Sequence, residues 1–539
     1  MTREFRAERF ALLGEIFVGN NISNRLERSA SRVPALTAIS LERSHTVKHS
    51  SIEIGTQLEA AAPQLRAVET MLQDMQSNVA PSARALAQGK SKPFLPTMPA
   101  DQYEALKAAL RAQVQAEEKP VEAELEALPR APVVLVGPNV PGATDVDGLM
   151  PPDTHGAVGL DHFVEVTNSH IDIFVRINPS QRTSISLAAF FGYTTRVLFD
   201  PRAVYDSVWN RWIITADAFQ ESATRQLHFV AISTSSNPLG AYFIYALNVA
   251  FNAGDFWDYP QLGMDQDSII ITANVFTSSG GFRGADMFAV AKARLYNGLG
   301  FSVPVFTGLR ATLAPPIVLD QNARTFLIAA SGGSTLSLYT LTNSSRPNGI
   351  QLTGPVNVAV PSYSAPPDAP QPGTSTLLDT LDGRFVNAST QTGDFLWQVH
   401  TVNLVGYAAP KFYQINTATN ALVQSAFFFG TSTSFDFNAS IAANSANDVF
   451  VTWTMTDPPR GTNAQVRFSG FDHNNGATYI LGPGTAAFTS PTWFGGGRWG
   501  DYSAVTVDPR NTRRAWLLNE DILSNHDWGS RIVGIGFAS

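Results

Sequence analysis

The segment Arg498–Asp521, RWGDYSAVTVDPRNTRRAWLLNED, is dense in reactive side chains although only 15% of the chain is charged. Arg498, Trp499, Asp501 and Tyr502 open it, and Asn519, Glu520 and Asp521 close it. Smaller sets stand upstream: Asp153 with His155, Asp200 with Arg202, Asp258 with Tyr259, Asp382 with Arg384, and His400. Two carboxyls can divide acid and base work on a glycosidic bond, at about 5–5.5 Å for retention or about 6.5–9.5 Å for inversion. Arginines clamp carboxylates and other anions, and an indole offers a flat apolar surface to a sugar ring. Asp258 and Asp501 are therefore the acid/base candidates, with Tyr502 or Tyr259 as alternative nucleophile and His400 as the base of a lyase. Arg202, Arg384, Arg498, Trp499, Asp153, His155 and Asp200 are the substrate-binding candidates. Each aspartate also has a purely architectural use, accepting backbone N–H bonds from a neighbouring unit.

The elements that must position these residues repeat. A polar or aromatic start, a short alternating strand, an Asp or Asn pivot and a second strand occur seven times, with pivots at Asp161, Asp206, Asp265, Asp320, Asn387, Asn444 and Asp508. Asx pivots bond the backbone of the turn they begin. Successive pivots lie 45 to 67 residues apart, which leaves room for two more strands per repeat. That spacing predicts a mainly β, seven-bladed propeller over 151–539. Because each hairpin is antiparallel, strand starts and partner-strand ends share one rim of the axial channel. The candidate residues converge there, as binding-site residues do.

The N-terminal part reads differently. Ala61, Leu65, Val68, Leu72 and Met75 follow helical spacing, and 101–130 is rich in Ala, Glu, Leu and Lys, predicting an α-helical N-terminal domain over 1–130. Its apolar seam makes 50–130 a candidate homo-oligomerising segment. Residues 131–150 form a linker, in which APVVLVG is expected to complete the last blade.

A net charge of −8 argues against nucleic acid as the main partner. No run of apolar residues is long enough to predict a membrane span, and the charged N-terminus is a poor secretory signal. With no cysteine, thiol chemistry is excluded and the compartment is unreadable. No metal motif is present and no cofactor is predicted. The channel aspartates and carbonyls offer the oxygen ligands of a Ca²⁺ ion, but nothing specifies one.

PPDTHGAVGLDHFVEVTNS, FDPRAVYDSVWNRWIITA, DYPQLGMDQDSIIITANVF, SIAANSANDVFVTW and RWGDYSAVTVDP resemble segments of bacterial sialidase-like (BNR-type) propeller proteins. The resemblance implies a sialidase-like propeller and an extracellular or cell-surface setting. Arg202, Arg384 and Arg498 would correspond to an arginine clamp, and Tyr259 or Tyr502 with Glu520 to a nucleophile pair. The family's Arg-Ile-Pro motif is missing, and SNHDWGSR departs from its Asp-box. The expected function is binding or processing of a saccharide or other small anionic ligand at the channel mouth. The alternative is a non-enzymatic scaffold or adhesin multimerised by its N-terminal helices. A metal-dependent oxidoreductase using channel histidines is a third, less supported reading.

Overall fold

The computed structural model describes residues 52–77 and 133–537, apart from 279, 347–348, 474–483 and 525. Seven inner strands stand around one axis: His155–Val158, Leu198–Asp206, Asp255–Met264, Pro316–Val318, Ser389–Thr392, Phe435–Ala443 and Ala504–Val507. Each touches the next and the seventh touches the first, so the ring closes. From each, the chain runs outward through antiparallel partners. In blade 1, for example, His155–Val158 is followed by His162–Val166, His170–Val175 and Asn178–Ser186. The molecule is a mainly β propeller.

Strands such as Ser268–Thr277, SIIITANVFT, are apolar on both faces because each blade is sandwiched between two others. The apolar clusters accordingly lie in the seams between blades, where Trp212, Trp257, Trp397 and Trp453 are fully buried. The chain's two arms meet in blade 7, where Val133–Thr144 lies antiparallel to the C-terminal strand Asp527–Phe537.

Two expectations are corrected. The N-terminal α-helical domain is not supported, although 1–51 and 78–132 lie outside the described residues. Within 52–77, Glu53–Ala60 and Gln64–Ala67 are strands, added to the outer edges of blades 3 and 2. Helix begins only at Val68, whose side chain is buried with Met71 against the helix Leu187–Phe191. An open sheet edge outweighs helical spacing upstream of Val68, because its backbone groups give the arriving chain a ladder of hydrogen bonds. Segment 53–77 is thus packed against its own propeller. The second correction concerns Asn387. The turn of blade 5 falls at Gly393 and Asp394, between Ser389–Thr392 and Phe395–Leu404, and Asn387 precedes the inner strand on the axis.

Candidate functional site

A shared backbone device aims the mouth residues. Asp153, Asp200, Tyr259, Thr312 and Asn438, near the starts of inner strands, have φ of 47–58°. In blades 2, 3 and 6 strand pairing breaks at the same place, between Phe199 and Arg202, Asp258 and Gln261, and Phe437 and Ser440. Such a bulge ends the ladder and turns side chains aside. Here they turn toward neighbouring blades.

Those contacts close the mouth. Asp153 accepts from Asp501 N at 2.7 Å and from Asn168 Nδ2 at 2.6 Å, so blade 7 is tied to blade 1. Asn168 Oδ1 accepts from Asp200 N at 2.8 Å. Asp200 accepts from Tyr502 Oη at 2.7 Å and from Tyr259 N at 3.2 Å. Tyr259 Oη donates to Asp501 O, and its ring lies 5.0 Å from that of Tyr502. Glu520 accepts from Gly500 N at 2.6 Å. Above this ring, the loops 364–388 and 490–500 are joined through Gln371 and Trp493, and through Asp379 N to Gly497 O. Trp499 and Trp493 are buried with Leu378 and Phe437 in the cluster beneath them.

Charge in this enclosure is strongly perturbed. Burial, with Asp501 adding repulsion, raises Asp153 to about 6 and Asp258 to about 7. Burial likewise pushes Asp200 and Glu520 well above the usual carboxylate range, and Tyr259 and Tyr502 well above that of a phenol. Arg384 forms a two-pronged pair with Asp382, both bonds 2.7 Å, and Arg498 bridges Asp379 and Asp501 at 3.1 and 2.7 Å. Arg202 differs. It donates to the Pro260 and Val386 carbonyls and stacks 3.4 Å above the Tyr502 ring.

The structure therefore brings most of the predicted residues together but gives them no open cleft. Among the acid/base candidates, Asp501 is held by Arg498 and only Asp258 is partly exposed. The tyrosines are buried, and burial makes them harder to ionise. Trp499 packs edge-on to Phe437 at 5.9 Å and presents no face to a sugar. His400 is not on the channel. Its ring nitrogens meet Gly383 O at 2.6 Å and Tyr413 Oη at 2.9 Å, and burial lowers it to about 3. His155 is on the axis, between mouth and channel. Its Nδ1 accepts from Ala203 N at 3.2 Å, so Nε2 carries the proton and donates to Asn387 Oδ1 at 3.0 Å. Burial and the Arg202 charge lower it to about 3.

Sequence reasoning overlooked the other half of the axis. Beyond His155 and Asn387, a narrow channel of about 80 Å³, open at its far end, runs toward the pivot turns. All seven inner strands contribute to its wall, including Val158, Val204, Met264, Ile317, Ile441 and Val507. The signal was present: those strands end in apolar residues just before their Asx turns. Asn387 was hidden because it had been taken for a turn residue, although Gly393-Asp394 is the stronger turn signal.

No family model matches the chain, and neither does any curated protein. Among solved structures it is similar to a variant of the Synechocystis apocarotenoid oxygenase, at 10% identity and TM-score 0.37, covering 63% of this chain and 75% of that one. The cobalt-substituted form of the same oxygenase gives 10%, 0.35, 62% and 74%. A Dyadobacter fermentans protein of unknown function gives 8%, 0.35, 63% and 94%. At these values no activity passes to this chain. The sialidase-like, BNR-type resemblance is nonetheless overturned, since no such family model matches. The glycan-directed and hydrolase-like expectations fall with it, and the scaffold or adhesin alternative gains no support. The closed mouth gives the physical reason.

Among the described residues no group of three or more His, Asp or Glu could hold a metal ion. His155 and His400 have both nitrogens engaged. The residues fit neither a histidine-held metal nor the Ca²⁺ considered from sequence, because the mouth carboxyls already accept protein hydrogen bonds. No described helix is long and apolar enough to cross a membrane.

Proposed function

We propose that this chain is a ligand-binding propeller whose axial channel takes a slender, mainly apolar molecule. The single observation that carries this reading is the channel itself: it is open at the pivot end, walled by aliphatic and small side chains from all seven blades, and floored by a polar pair. Apolar enclosure with a few polar groups at one end is the usual form of a small-molecule site. Removing a hydrocarbon chain from water supplies about 0.8 kcal/mol per buried methylene. A straight chain follows a narrow bore better than a ring system does. The His155–Asn387 pair would meet its inner end.

The test measures binding of the straight-chain alcohol 1-dodecanol, in radiolabelled form, by equilibrium dialysis. Ile317→Phe combined with Val507→Phe narrows the bore from opposite sides at two partly exposed positions. Saturable binding by the native chain, lost in the double variant with the fold retained, is the expected result. Equal binding by both would refute the channel as the site.

A further inference from the structure

Arg202 is the only one of the three mouth arginines without a carboxylate. Arg384 has Asp382, and Arg498 has Asp379 and Asp501. Arg202 is 1% exposed, and its bonds go to two neutral carbonyls and an aromatic face. Among the described residues its Nη2 meets no hydrogen-bond acceptor. A buried cation is normally balanced by an anion, because carbonyls and rings offset only part of its lost hydration.

Two more buried polar side chains have no hydrogen-bond partner among the described residues. Gln261, 1% exposed, has neither its Nε2 nor its Oε1 engaged, and the Ser389 Oγ, fully buried, has no partner. The backbone gathers all three. Arg202 Nε reaches Pro260 O, one residue before Gln261, and Arg202 Nη1 reaches Val386 O, three residues before Ser389. Ser389 N donates to Pro315 O, and a Cβ built on Gly263, two residues after Gln261, would lie 2.6 Å from the Pro315 side chain. The backbone segments that carry this guanidinium, amide and hydroxyl in blades 2, 3 and 5 are thus neighbours. Asn387 and Ala388, between Val386 and Ser389, line the inner end of the channel.

We propose that Arg202, with the Gln261 amide and the Ser389 hydroxyl, is an anion receptor at the inner end of the axial channel, taking a carboxylate or a halide. These groups supply N–H and O–H donors and one uncompensated positive charge, which suit a monovalent anion. A carboxylate would be the head of an apolar chain lying in the channel, reaching Arg202 past Asn387; a halide would be a separate guest. The carboxylate version rests on the channel reading above, and the halide version stands without it.

The test compares the full native chain with Arg202→Gln and with the milder Gln261→Leu/Ser389→Ala double variant, which keeps Arg202. Binding of radiolabelled laurate and 1-dodecanol is measured for each by equilibrium dialysis. Melting temperature is followed as sodium bromide replaces sodium gluconate at fixed ionic strength, since a bound anion stabilises the folded state. Laurate should bind at least about tenfold more tightly than dodecanol in the native chain, with the ratio near one in both variants. A bromide-dependent rise in melting temperature, absent in the variants, would identify the halide as guest. If that rise appears while dodecanol does not bind, the channel reading fails and the receptor stands. Equal laurate and dodecanol affinities together with no bromide effect would overturn the receptor.

Discussion

The two ends of the axis are built from the same seven strands and have opposite characters. In Leu198–Asp206 the mouth end carries Asp200 and Arg202, and the channel end carries Val204 four residues from Asp200. At the mouth, kinked backbone turns carboxyls onto neighbouring blades, where they hold N–H and O–H groups up to 348 residues away in sequence. At the channel end the ladders run unbroken to the turns, and aliphatic side chains are left facing an open bore. Reactive side-chain types therefore mark where the ring is held together, and their poverty marks where space remains. A convergence of Asp, Arg and Tyr measures chemical capacity only when those groups are free.

The sharpest way to break this comparison is at Arg498. If the mouth is architecture, Arg498→Ala leaves Asp379 and Asp501 without their shared cation in an enclosed site, and should lower unfolding free energy by about 3–5 kcal/mol. Urea denaturation followed by tryptophan fluorescence measures it. A change below about 1 kcal/mol would mean that the pair is solvated and the mouth open.

Proton linkage distinguishes the ends next. Asp153 and Asp258 are raised to about 6 and about 7 in the folded state from an ordinary 3.8, so the native protein binds more protons than the unfolded chain between about pH 4 and 7. Their contribution to stability therefore falls as pH rises through that window. His155, lowered to about 3 from 6.5, acts oppositely: the unfolded chain binds the extra proton between pH 3 and 6.5, and stability rises with pH there. Asp153→Asn with Asp258→Asn should make the stability profile rise more steeply, or fall less, between pH 4 and 7. His155→Gln should remove part of the rise below 6.5. Melting temperatures across that range report both, and unchanged slopes would show that neither group is enclosed as described.

Legibility in the sequence follows the range of the interaction. The turns at Asp206, Asp265, Asn444 and Asp508 were readable because each accepts backbone N–H groups two to four residues ahead. The propeller was readable because those turns recur with strands on both sides. Asn387 was misread because the insertion 364–388 displaces the strand start in blade 5 while leaving an Asn at roughly the expected interval. The strands at 53–67 were invisible because their pairing partners lie beyond residue 240. The mouth residues were found by type, but their partners, such as Asp379 for Arg498, are 119 residues distant and nothing local announces them. Arg202 is the instructive remainder: sequence asks what anion balances each buried arginine, and only the fold shows which of the three still lacks one.

The smallest expected effect is at the channel wall. Ile317→Phe adds bulk at a partly exposed position that faces the bore, so the new ring can extend into open space without displacing a neighbour. Stability should stay within about 1 kcal/mol of the native chain, below the roughly 1–3 kcal/mol that overpacking costs in a filled core. Ser503→Val is the matched change at the mouth side of the same axis. Ser503 is fully buried, and its Oγ donates to Asn438 O at 2.9 Å and meets Ser440 Oγ at 2.7 Å. Losing those bonds while adding a methyl group should cost about 1–3 kcal/mol. Equal costs at the two positions, read from urea midpoints, would mean that the bore is packed like the mouth. A larger cost at Ser503 would confirm that one ring of strands is closed by hydrogen bonds at one end and left open by aliphatic side chains at the other.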